Sequence, residues 1–174
     1  MENETPKAGD RSWLWTIAVG RKPAFTLVRI VVLVVATFVV FRFILLPPVR
    51  ITGPSMLPTY RENSIHLVNR LAYSWREPRR GDVVSIRLAG HSVMYMKRIV
   101  GLPGETVEFR GGQLFVNGQP LDEPYVKSRS RWEMPPRRLG VEEYFVVGDN
   151  RSMPIEDHEL GVATRNRIVG KILL

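Results

Sequence analysis

From Ala24 to Leu46 almost every residue is apolar, and the stretch from Ile30 to Phe41 carries no charge. No other feature limits the possible folds so strongly. As an α-helix the span would be about 34 Å long, enough to cross a hydrocarbon layer of about 30 Å. A soluble helix that is apolar all round needs neighbours all round, and this 174-residue chain has no second helical layer to supply them. The span is therefore expected to be a transmembrane helix over residues 24–46. Arg29 and Arg42 interrupt it near its ends, where a long side chain can reach headgroups. A cleavable leader would be shorter, would start earlier and would end at small residues, whereas Pro47 and Pro48 follow this span.

Residues 1–23 are polar and mixed in charge, with Trp13 and Trp15 ahead of Arg21, Lys22 and Pro23. They read as a tail leading into an interfacial anchor. Arg11, Arg21 and Lys22 precede the span while Arg50 and Arg61 follow it, a count that favours a cytoplasmic N-terminus.

Past Pro48 the pattern changes to short β-type runs punctuated by turn residues. Expected strands are Ile65–Val68, Asp82–Leu88, Val93–Val100, Thr106–Arg110, Gln113–Val116, Tyr144–Val147 and Ile168–Leu173. The clearest local signal is Gly111-Gly112 between two alternating runs, followed by Asn117-Gly118, both suited to two-residue hairpin turns. Residues 123–140, with Pro124, Pro135 and Pro136, read as a long excursion between strands. The expected fold class is mainly β: one N-terminal transmembrane helix, then a compact all-β domain over residues 49–174.

The chain has no cysteine, which removes disulfides, thiolate metal sites and cysteine nucleophiles. His66, His91 and His158 are scattered without ligand spacing, so no metal site is expected. The net charge of +8 is dispersed. Its two clusters, Lys127 to Arg131 and Arg137-Arg138, lie in a Pro-containing segment without interleaved aromatics. They point to a solvated loop facing anionic headgroups, and not to nucleic acid.

One serine stands out. In Gly53-Pro54-Ser55-Met56-Leu57-Pro58-Thr59, two prolines bracket Ser55 shortly after the span and would hold its hydroxyl in a defined direction. A serine nucleophile needs a base. His158 with Asp157 or Asp149 could complete a Ser/His/Asp set, or Lys97 could act alone as a neutral amine. Strand alternation puts Lys97 on a face with Val93 and Tyr95 that is otherwise apolar. Burial would be required of such a base: with a pKa near 10.4, only about one lysine in 2,500 is neutral at pH 7, a handicap of about 4.6 kcal/mol. Desolvation among apolar neighbours can bring the value down to about 7 to 8.

Four motifs in order sharpen this: Gly53 to Thr59, then Arg80-Gly81-Asp82-Val83-Val84, then Tyr95 to Glu105 with Lys97 and Arg98, then Gly148-Asp149-Asn150-Arg151. Together behind a membrane anchor they resemble the signature boxes of type I signal peptidases over nearly the whole chain. The resemblance implies a membrane-anchored serine endopeptidase that removes signal peptides after small residues of an Ala-x-Ala site. It implies Ser55 as nucleophile and Lys97 as general base, with Met56 lining the cleft. The Ser55 backbone N–H would hold the oxyanion; Gly53 carries no hydroxyl, so a second donor would come from the backbone. Arg98, Asp149 and Arg151 resemble the family's buried ion-pair scaffold. No cofactor is implied. The expected partners are signal peptides bound by β-addition, the lipid bilayer and the secretion translocase. The expected location is the bacterial cytoplasmic membrane, crossed once, with the catalytic domain on the outer face.

After Arg151 the chain departs from the family. Where relatives carry a serine that orients the lysine, and two residues later an aspartate, this chain has Pro154 and Glu156. Either Ser152 or a water then supplies the hydroxyl to Lys97, or the base is less well held. His158, at a position often arginine, is expected to pair with Glu156 or Asp149. Two rival readings remain: a peptidase specialised for one pilin or conjugation substrate, and a catalytically impaired scaffold that binds signal peptides.

Overall fold

The computed structural model describes residues 23–87, 94–158 and 161–173. The tail with Trp13 and Trp15, the charges at Arg11, Arg21 and Lys22, His91, and the strand ends at Leu88 and Val93 lie outside the described residues. The chain divides into two compact units, with the boundary between Arg42 and Phe43.

The first unit contains helix α1 (Pro23–Val40), which the chain continues as a π-helical turn over Phe41–Leu45. The segment Thr26–Leu45 is long and apolar enough to cross a membrane, and none of it is buried by protein. Large apolar side chains such as Leu33 and Phe38 stand about two-thirds exposed. Such a surface costs free energy in water at about 25 cal/mol per Å², so an apolar surrounding fits it.

The second unit is built from eleven strands. They are β1 (Pro48–Arg50), β2 (Ile65–Asn69), β3 (Val83–Arg87), β4 (Met94–Gly101), β5 (Thr106–Arg110) and β6 (Gln113–Val116), then β7 (Gln119–Pro120), β8 (Met134–Arg138), β9 (Glu143–Val147), β10 (Gly161–Thr164) and β11 (Ile168–Leu173). Seven form one sheet in the order β1-β2-β11-β3-β4-β9-β10, and four form a second in the order β7-β6-β5-β8. The mainly β architecture with one apolar N-terminal helix is the one expected.

Two consecutive residues of one strand explain how the core is divided. Ile99 and Val100 point to opposite faces of β4. Val100 joins Phe145 and Val147 against Val107, Phe109 and Leu114 of the four-stranded sheet. Ile99 joins Val84, Ile86 and Val146 on the other face. Because both faces are covered, the central strands are apolar almost continuously and do not alternate with polar residues. A third cluster, Ile51, Met56, Tyr60, Val68, Val83 and Ile172, lies beneath the turn that follows β1.

The two hairpin signals hold. Arg110 faces Gln113 across Gly111 and Gly112, whose φ values are 56° and 82°, and Val116 faces Gln119 across Asn117-Gly118. Residues 123–140 correct the expectation of a strandless excursion. Pro135 and Pro136 lie within β8, which is tolerated because β8 is an edge strand of its sheet. Strands β1, β7 and β10 were also unforeseen, being only two to four residues long.

Candidate active site

Ser55 lies in the turn after β1, and Lys97 lies in β4 opposite Val84 of β3. The fold brings them together: Lys97 Nζ donates to Ser55 Oγ at 2.9 Å. Lys97 is only 3% exposed, so its amine is removed from bulk water as a lysine base requires. Tyr95, two residues earlier on the same face, has its ring centroid 5.8 Å from Nζ.

The turn carrying Ser55 is held from two sides. Below it, Met56 is 1% exposed within the third core cluster. Met56 therefore anchors the turn from beneath, and the expectation that it lines an open cleft is corrected. Beside it, the Asn150 backbone N–H donates to Ser55 O at 3.0 Å, and Asn150 Nδ2 donates to Pro54 O at 3.1 Å. The approach is close enough to require glycine at 148, since a Cβ there would stand 2.1 Å from Ser55 O. Gly53, at φ +90°, sits in a backbone region that L side chains rarely adopt. Among the described residues the Ser55 N–H donates to no other group.

Arg98, next to Lys97 in β4, points to the opposite side. Its Nε and Nη2 donate to the two Asp149 oxygens at 2.8 and 2.6 Å, and Nη1 donates to Gly81 O. Thr59 Oγ1 also donates to Asp149. The carboxylate thus ties β4 to the turn that carries Ser55.

Arg151 is 1% exposed, and its carboxylate partner is Glu123, not Asp149: Nη2 and Nη1 donate to Glu123 at 2.6 and 3.2 Å, while Nε donates to Gly148 O. Tyr125 links the two ion pairs. Its hydroxyl donates to Glu123 and its ring lies 4.0 Å beneath the Arg98 guanidinium. Burial, reinforced by the Glu123 charge, holds the Tyr125 phenol well above its ordinary pKa, so it stays a donor. Glu123, Tyr125 and Thr59 were not foreseen. Nothing in their local pattern marks them, because each partner comes from a distant part of the chain.

The segment after Arg151 corrects three expectations. Ser152 is exposed and donates its hydroxyl to Asn150 Oδ1 at 2.6 Å, closing a local turn instead of serving Lys97. Glu156 is exposed and takes no part in the buried scaffold. His158 pairs with neither Glu156 nor Asp149. It is 3% exposed, edge-on to Trp132 at 4.8 Å, and both ring nitrogens lack a hydrogen-bond partner. Burial, then the charges of Lys97 and Arg151, push its pKa down to about 3, against a small opposing influence of the Asn150 backbone. The imidazole is therefore neutral through the physiological range.

A small pocket of about 40 Å³ is lined by residues that include Ile51, Thr52, Ser85, Met94, Tyr95 and Met96. Strand β9 pairs with β4 from Arg98 onward. Among the described residues no group of three or more acidic, histidine or cysteine side chains could hold a metal.

A family model for signal peptidases of peptidase family S26 matches residues 24–174. The chain belongs to the signal peptidase family. It is 37% identical to signal peptidase I S of Bacillus subtilis over 153 residues, covering 81% of this chain and 82% of that one. It is 34% identical to signal peptidase I of Leptolyngbya laminosa over 71% of this chain and 65% of that one. A solved structure of signal peptidase I from Enterococcus faecalis V583 aligns with 56% of this chain and 98% of its own, at 26% identity and a TM-score of 0.45. Membership of the signal peptidase family makes the chain a hydrolase of the serine-peptidase type.

Proposed function

We propose that this chain cleaves signal peptides from exported preproteins with Ser55 as nucleophile and Lys97 as general base. The reaction class follows from the family. The observation that carries the residue assignment is the 2.9 Å hydrogen bond between Lys97 Nζ and Ser55 Oγ, made by a buried lysine. Ser55 Oγ attacks the scissile carbonyl carbon while the neutral Lys97 amine takes the hydroxyl proton. The Ser55 N–H stabilises the oxyanion. Collapse expels the new N-terminal amine, which receives the proton from Lys97, and leaves an acyl-enzyme. Lys97 then deprotonates a water that releases the signal peptide as a carboxylate.

The signal peptide would bind as an added strand along β4, with alternate side chains directed toward the pocket that Tyr95 helps to line. Helix α1 anchors the chain in the cytoplasmic membrane with the β unit on its outer face, where signal peptides emerge beside the translocase. Cleavage of a preprotein bearing an Ala-x-Ala site by the full chain, Ser55→Ala and Lys97→Ala tests the assignment. Each variant is expected to lose about 10⁴-fold or more in kcat. Undiminished cleavage by either removes that residue from its role.

A further inference from the structure

We propose that a pocket beside the nucleophile turn receives the leaving side of the substrate, and that Lys127 there favours a preprotein with an aspartate or glutamate among the first three residues after the cleaved bond. The inference rests on Ser55 being the nucleophile. The pocket measures about 320 Å³, and the residues lining it include Leu57, Pro58, Lys127, Asp149 and Asn150. Leu57 and Pro58 are the second and third residues after Ser55, so their Cα atoms stand at most about 8 and 11 Å from its own. Asn150 is bonded to the same turn, its backbone N–H donating to Ser55 O at 3.0 Å. An extended peptide advances about 3.3 Å per residue, so a scissile carbonyl held at Ser55 Oγ brings the next two or three residues within this range.

Size and charge say which part of the peptide the pocket suits. The pocket lined by Ile51, Thr52 and Met94 to Met96 is built from residues that precede Ser55 and Lys97, and at about 40 Å³ it suits a small side chain. With the signal-peptide half of the substrate on that side, the larger pocket is left for the mature half. Two charged groups line the larger pocket. Asp149 is 1% exposed and its carboxylate is already taken by Arg98 and Thr59. Lys127 is exposed; among the described residues its Nζ makes one hydrogen bond, to Pro124 O at 3.4 Å, and no ion pair. The segment that carries Lys127 is tied to the Asn150 turn, since the Ser130 N–H donates to Arg151 O at 2.7 Å and Arg129 bridges Arg151. Arg129 adds a second positive charge to that segment, 3.9 Å from a Glu123 already paired with Arg151. The charge left unneutralised at the pocket is therefore positive, and its complement is a carboxylate, with Leu57 and Pro58 offering an apolar wall to the methylene stem.

The full chain in detergent micelles provides the test, with peptides that share one Ala-x-Ala site and carry Glu, Gln or Lys singly at each of the three positions after the cleaved bond. At one of these positions Glu is expected to exceed Gln in kcat/KM by about three- to fivefold and Lys to fall below Gln, with the difference shrinking as salt is raised. Lys127→Met is expected to bring the Glu-to-Gln ratio to about one, Lys127→Glu to invert it and Lys127→Arg to keep it. The ratio compares two peptides on the same enzyme, so it does not depend on how much of a variant folds. A ratio near one at all three positions in the unmodified chain overturns the proposal, as does a ratio that Lys127→Glu leaves unchanged. If Lys127→Glu leaves the ratio unchanged but weakens binding to phosphatidylglycerol vesicles, the lysine serves lipid headgroups and the subsite is overturned in favour of that role. Cleavage of these peptides by Ser55→Ala would sink the nucleophile assignment itself. If Ser55→Ala is inactive while the ratio is flat, only the subsite fails.

Discussion

Two adjoining pieces of one segment, Gly148–Arg151 and Ser152–His158, are held in opposite ways. In the first, every polar side chain reaches across the fold: Asp149 to Arg98 and Thr59, Asn150 to the Ser55 turn, Arg151 to Glu123. In the second, the Ser152 hydroxyl bonds only within its own turn, Glu156 faces solvent, and the His158 ring is buried with unpartnered nitrogens, while long-range bonds reach only the backbone, from Ser130 Oγ to Ser152 O and from Trp132 Nε1 to Met153 O. The first piece is where the chain matches the family motif; the second is where it departs. Long-range clamps and the motif coincide, so the side chains of the matched residues are kept in place by partners far along the chain.

If that contrast is real, the largest effect on folding should come from outside the motif. Glu123→Leu leaves the Arg151 guanidinium buried without its carboxylate, and loss of one partner of a buried pair costs about 3 to 5 kcal/mol. Denaturant unfolding of the full chain in micelles would read this, and a loss below about 1 kcal/mol would break the comparison.

An intermediate effect should appear on acidification. Unfolded, His158 binds a proton below its ordinary pKa of about 6.5, whereas folded it stays neutral down to about 3. The unfolded state therefore holds more protons in that window, and stability falls as pH drops through it, by at most about 1.4 kcal/mol per pH unit. Comparing the pH dependence of unfolding with that of His158→Phe isolates the contribution, which should vanish in the variant.

The smallest effects belong to the exposed residues. Ser152→Ala and Glu156→Ala are expected to change stability by less than about 0.5 kcal/mol and to leave cleavage near that of the unmodified chain. A large loss of kcat in Ser152→Ala would mean that its hydroxyl does reach Lys97.

Much of the fold could be read along the chain, because its signals are local. The apolar run of α1, the Gly111-Gly112 and Asn117-Gly118 turns, and the alternating or continuous apolar runs of β2 to β6, β9 and β11 each depend on near neighbours. Strand β8 could not be read, since Pro135 and Pro136 argue against any strand except one whose edge is free. Pairing of Arg151 was equally hidden. Asp149 is two residues away and chemically suitable, yet β4 delivers Arg98 to it, and Glu123 reaches Arg151 from the segment that looked like an excursion.

What the sequence by itself determined is an N-terminal helix long and apolar enough to cross a membrane, the β class of the second unit and Ser55 and Lys97 as the candidate pair to bring together. Composition and the order of four motifs were enough for that. Only the tertiary structure decided which carboxylate neutralises which arginine, that Met56 supports the turn from the core, and that His158 lies beneath Ser55. These depend on strand register and on the packing of one sheet against another. A shift of one residue in either would exchange the two faces of β4, and with them Lys97 and Arg98.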